Sequence, residues 1–136
     1  MINSVTRKLM AIAYDKGFSV ILDDRFTSHT PSAANPFTNT IVINENWYKP
    51  EQLSFQLAHE LGHLINKDRT NVCLYFSPSK SGIEGNANRT AIRLLLPIYL
   101  DGKDKEQVNI TKFMDDLDMP HYLEDMVEKE ILNYYD

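Results

Sequence analysis

Leu57-Ala58-His59-Glu60-Leu61-Gly62-His63 is the stretch on which the reading of this chain turns. Its last five residues read H-E-x-x-H. Residues four apart share a helix face, so His59 and His63 can grip one metal ion. Glu60, beside the first histidine, is then placed to take a proton from a water that the ion polarises. These are the working parts of a zinc-dependent peptidase site. Extended outward at about 100° per residue, the helix over 52–65 puts Leu53, Leu57, Leu61, Leu64 and Ile65 on one side. His59 and His63 fall on another, flanked by Gln52 and Gln56, with Glu60 on the border. From Gln52 to Asn66, Glu60 is the only formal charge. A segment so poor in charge reads as central rather than as a solvated surface helix. A lone carboxylate in its middle is costly to bury, and a metal ion with bound water gives it a partner.

A catalytic zinc takes three protein ligands and keeps one position open. The long metzincin form needs Gly at 66 and His at 69, where this chain has Asn66 and Arg69. The candidate third ligand is therefore a carboxylate on a following helix. Gly82 to Leu96 reads GIEGNANRTAIRLLL. On a helix, Glu84, Ala87, Asn88, Ala91 and Leu95 form one stripe, and Arg89 and Arg93 point away. Ala87 and Ala91 are small enough to let this helix approach the first closely. Ser81-x-x-Glu84 also reads as a capping box, in which Glu84 would bond only a backbone N–H. Ser77-Pro78 allows an earlier helix start that frees the acid. Two other donors lie nearby. Asp68 follows His63 too soon to swing back easily, and Cys73 has no second cysteine beside it.

These motifs resemble the ImmA/IrrE family of metallopeptidases, common in phages and integrative elements. The resemblance rests on Leu57 to His63, on Glu84-x-x-Ala87-Asn88, and on Ala91 and Leu94-Leu95-Leu96-Pro97. Ile41-Val42-Ile43-Asn44 is similar to the strand that leads into that family's metal helix. The likeness spans roughly residues 5 to 100. It implies Zn²⁺ on His59, His63 and Glu84, with Glu60 as general base. It also implies a helix-turn-helix transcriptional repressor as protein substrate. One position departs from the pattern: Thr90 stands where the family often has Phe, a place expected to pack rather than catalyse.

The rest of the chain fits an α+β, zincin-like domain over 1–136, with a small sheet beside a mainly helical body. The H-E-x-x-H helix is central, and a C-terminal helical part runs from about residue 101. Ser4 to Lys16 has helical spacing and Gly17 as its stop. Phe18 to Leu22 is β-like, and residues 29–44 read as strand, turn and strand. Cys73 to Phe76 reads as a short strand or a flap over the site. A third helix ends near Pro97. Lys105 to Leu117 and Pro120 to Tyr134 read as two more helices. Asp115, Asp116 and Asp118 read as a solvated helix end rather than a calcium loop. The strand around Thr40 to Asn44, taken as a sheet edge, is a candidate for holding substrate by strand addition.

With 136 residues and 43% hydrophobic content the chain can bury a core. Net charge is −5, which argues against nucleic acid as the direct ligand. One cysteine, no long apolar run and no signal-peptide pattern point to a cytoplasmic protein that uses no membrane. Tyr75, Tyr48 and His121 are candidate oxyanion stabilisers by chemistry alone. The main alternative to a narrow-specificity endopeptidase is a zinc-bearing module that sequesters its partner without cutting it. The intact Glu60 weighs against that alternative, because holding zinc requires no carboxylate there.

Overall fold

The fold, taken from a computed structural model, is described for residues 3–69 and 73–136; residues 1–2, and 70–72 of the expected connection to Cys73, lie outside the description. Helix α1 (Ser4–Asp15) is capped by Asn3, whose side chain accepts the Thr6 N–H at 2.8 Å. It buries Thr6, Leu9 and Ala13. It ends, as the sequence predicts, at Gly17, whose φ is +81°. There the N–H of Phe18 donates to the Ala13 carbonyl at 2.9 Å and that of Gly17 to Tyr14 at 3.0 Å, the pair of bonds of a Schellman turn.

Four strands follow the order β1-β3-β2-β4: β1 (Ser19–Asp23), β2 (Ala33–Asn35), β3 (Thr40–Asn44) and β4 (Leu74–Tyr75). β1 and β3 run parallel, with Ile21 beside Val42. β2 is antiparallel to both of its neighbours, with Ala34 beside Ile41 and Ala33 beside Tyr75. The expectation that Thr40 to Asn44 forms an edge is corrected here. β3 carries a partner on both sides, so its backbone groups are already spent. Alternation explains its place: Ile41 and Ile43 are buried.

Pro50–Gln52 makes one 3₁₀ turn into helix α2 (Leu53–Ile65). Every residue from Ser54 to Leu64 is buried. α2 packs against α1, the sheet and helix α3 (Gly82–Tyr99), which accounts for its low charge. α3 starts at Gly82, not at Pro78, and continues two residues past Pro97. The proline removes only the bond to the Arg93 carbonyl, and both residues are on the exposed side, where water can take that carbonyl. The expected helix over 105–117 is split. A 3₁₀ turn at Lys105–Gln107 gives way to helix α4 (Ile110–Asp116), because Asn109 caps the Lys112 N–H at 3.0 Å. Another 3₁₀ turn, His121–Leu123, leads into helix α5 (Glu124–Tyr135). The architecture is α+β and zincin-like. One buried cluster joins Leu9 and Ala13 of α1, Ile41 of β3, Leu57 and Leu61 of α2, Leu95 of α3 and Phe113, Leu123 and Val127 of the C-terminal part. No helix among the described residues is long and apolar enough to cross a membrane.

Candidate metal centre

The polar face of α2 carries two kinds of residue. Toward its start, Gln52 and Gln56 are buried and saturated. Gln52 accepts from the Trp47 indole at 2.9 Å and from the Gln56 amide at 3.0 Å, and donates to the Asp118 carbonyl at 3.0 Å. Gln56 accepts the Ser32 N–H at 3.3 Å. These glutamines tie the helix to the sheet and to the C-terminal part.

One turn further on, the polar groups point at one another. His59 Nε2 lies 2.9 Å from Glu84 Oε1, and His63 Nε2 lies 3.0 Å from the same oxygen. Among the described residues, these three form the group whose ligand atoms lie within 4.8 Å of one another. Glu84 sits in the first turn of α3, yet its side chain reaches the histidines. Ser81, the residue before the helix, makes no side-chain capping bond. The capping box is therefore not what holds Glu84, although the later helix start had favoured it.

The outer nitrogens settle which way the rings face. The Asn88 amide donates from Nδ2 to the Ser79 carbonyl at 2.8 Å, so its Oδ1 must face His59. His59 Nδ1 then donates to that oxygen at 2.7 Å. His63 Nδ1 donates to Asp68 Oδ2 at 2.9 Å. With both Nδ1 atoms holding hydrogens, the neutral rings turn bare Nε2 lone pairs toward a carboxylate oxygen. Three acceptors converge, and a cation or a proton must lie between them. The donor chemistry, two imidazoles and a carboxylate with outer hydrogen bonds, fits a catalytic zinc ligand set.

Asp68, set aside as a ligand, is not one of the three, yet it does reach back to the outer nitrogen of His63. The turn after α2 brings it back to His63: Lys67 adopts φ +58°, and the Asp68 N–H donates to the His63 carbonyl at 3.0 Å. Sequence reasoning missed Asp68 because a lysine does not advertise a left-handed turn. Asn88 was legible only as a member of the inward stripe, one turn after Glu84. Phe76, at the end of the stretch read as a short strand or a flap over the site, sets its ring 5.1 Å from His59 and 5.7 Å from Phe55, on the β4 side of the site.

Glu60 is wholly buried, and neither carboxylate oxygen has a hydrogen-bond partner among the described residues. Burial pushes its carboxyl well above the ordinary value, and the charge of Glu84 adds to that. For Glu84 burial acts in the same direction. With a proton held between the imidazoles and Glu84, the hydrogen bond from His59 and the charge and hydrogen bond of His63 outweigh it, and its carboxyl is held low.

The close approach of α2 and α3 is built on small residues. A Cβ at Gly62 would lie 2.7 Å from the Ala87 carbonyl oxygen. At Gly85 it would strike the Lys80 carbonyl, so glycine there lets the 77–81 loop cross the helix start. The Tyr122 hydroxyl donates to the Pro78 carbonyl at 2.6 Å and pins that loop from the C-terminal part.

The family comparison falls on this same region. The Peptidase_M78 model, described as the IrrE N-terminal-like domain, matches residues 16–98. The chain belongs to the Peptidase_M78 family. That bears out the resemblance to ImmA/IrrE metallopeptidases, and the matched span holds His59, Glu60, His63 and Glu84. Comparison with curated proteins and with solved structures found no match. The other candidates stand apart from the Peptidase_M78 site. Tyr48 is half exposed and stacks on His29 at 4.4 Å. Tyr75, His121 and Cys73 are exposed and, among the described residues, make no hydrogen bond to the cluster. Thr90 does not pack as Phe would; its hydroxyl donates to Asn66 Oδ1 at 2.9 Å.

Proposed function

We propose that this chain is a zinc-dependent endopeptidase of narrow specificity, with His59, His63 and Glu84 as ligands and Glu60 as general base. The observation that carries the reading is the convergence of two bare imidazole nitrogens and one carboxylate oxygen beside a buried, unpartnered glutamate. Zinc, when bound, lowers the pKa of water from about 15.7 to about 7 and polarises a carbonyl. Glu60 accepts the proton of the attacking water and returns it to the leaving amine. Its burial keeps that proton from escaping to solvent. Asn88 and Asp68 hold the rings in the tautomer that presents Nε2.

A substrate strand cannot add to β3, which is interior. β4 is the free edge beside the site, because Phe76 follows it directly and touches His59. The proposed partner is a helix-turn-helix repressor of a phage or mobile element, cut in the cytoplasm. Membership of the ImmA/IrrE type and the chain's acidity support it. The test is metal analysis of the purified protein, followed by co-expression with a repressor encoded beside it. The reading expects about one zinc per chain, and discrete repressor fragments with the wild type but not with Glu60→Gln. Repressor relief by both forms without fragments would instead support sequestration.

A further inference from the structure

The ends of α1 and α2 are built to the same plan. In each, the third residue past the helix donates to a carbonyl five positions back, and the residue before it donates three back. At the end of α1 the left-handed position is Gly17, which adopts φ +81° freely. At the end of α2 it is Lys67, at φ +58°. A lysine there is strained where glycine would not be. The two turns face one cavity of about 390 Å³, and Asn39, another residue with positive φ, also lines it. Strain of this kind collects where a side chain is required for binding.

The lining explains what is required. Phe18, Pro36, Leu64 and Ile65 supply apolar wall, and Lys16, Lys67 and Arg69 supply charge. None of these three cations makes an ion pair among the described residues. The single acid in the lining, Asp68, already accepts from His63. A helix C-terminus carries about half a negative charge, so two helix ends and Asp68 together do not balance three cations. The surplus is positive in a chain of net charge −5. The volume falls in the range of small-molecule sites.

We propose that this cavity binds a small amphipathic organic anion: an acidic head between Lys16, Lys67 and Arg69, and an apolar body against Phe18, Leu64 and Ile65. It is a second site: Asp68 lines it, and none of the metal ligands does. The probe is 1-anilinonaphthalene-8-sulfonate, followed by fluorescence with the full chain. The proposal expects one probe per chain, weakening with added salt, and displacement by decanoate but not by decanol. Lys16→Gln and Arg69→Gln should each weaken the probe about fivefold. Lys67→Gly is the deciding variant. Glycine fits the turn better, so this protein should melt higher yet bind the probe about fivefold more weakly. A lysine kept only for the turn would give the higher melting temperature with unchanged binding. That result, or equal displacement by decanol, overturns the proposal.

Discussion

The two halves of α2 present the same face of one helix and treat burial in opposite ways. In the first half, Gln56 and the capping residue Gln52 just before the helix are buried, and each finds partners in the protein. In the second half, His59 and His63 aim acceptors at the acceptor of Glu84, and Glu60 has no partner among the described residues. Buried polar groups are normally hydrogen-bonded, and the first half obeys. The second half is arranged for chemistry at the expense of that rule. Stability should therefore depend most on the first half, and metal and turnover on the second.

The largest expected effect is on turnover. Glu60→Gln should keep the metal and lower cleavage by about 10² to 10⁴ in rate, read on a cleaved repressor or peptide. A variant that cuts at the wild-type rate would remove Glu60 from the chemistry, and one that loses the metal would make it a ligand. Next in size are the outer partners. Asn88→Ala and Asp68→Ala should each weaken zinc by about 10- to 100-fold in chelator competition. Gln56→Ala, which leaves the buried Ser32 N–H unpaired, should cost about 1–3 kcal/mol of stability with zinc affinity unchanged. If Gln56→Ala moved zinc as much as Asn88→Ala does, the contrast between the halves would be lost.

Gly62→Ala comes next. The new Cβ would meet the Ala87 carbonyl, so α3 must shift, at about 1–3 kcal/mol by denaturant unfolding. Because Glu84 rides on α3, zinc affinity should fall as well.

The gentlest test uses pH. Glu60 ionises higher in the fold than its ordinary value of 4.5, because burial disfavours the charge. The unfolded chain therefore gives up this proton first as pH rises. In metal-free protein the contribution of this group to stability should fall from near pH 4.5 upward, until the folded group also ionises. Glu60→Gln cannot lose that proton. Its melting temperature should pull ahead of the wild type's progressively as pH rises above 4.5. A gap that stays constant with pH would mean that Glu60 is solvated or paired after all.

Much of this was legible in the residues. The spacing of His59 and His63, the inward stripe of Glu84, Ala87, Asn88 and Ala91, and the scarcity of charge over 52–66 placed both helices and their facing sides. Local patterns carry that information because a helix repeats within a few residues. Strand order was not legible, since β3 reads alike at an edge or in the middle. Its place depends on β1 and β2, which pair with it across a loop and a turn. Asp68 was hidden for another reason: its reach depends on one left-handed residue that is not glycine. Thr90 shows the reverse limit, where a familiar position is filled by a residue that does something different.

The bonds that cross the family's boundary matter for anyone cutting the gene. The matched span ends at residue 98, but Asp118 takes the Gln52 amide and Tyr122 holds the loop before Glu84. On the other side, Leu9 and Ala13 fill the core beside α2. A fragment trimmed to 16–98 would bare the apolar surface that Leu9, Leu117 and Leu123 now cover, and it would free the loop that leads into the ligand helix. Such a fragment would collect in inclusion bodies, and its failure to hold metal would say nothing about the ligands themselves.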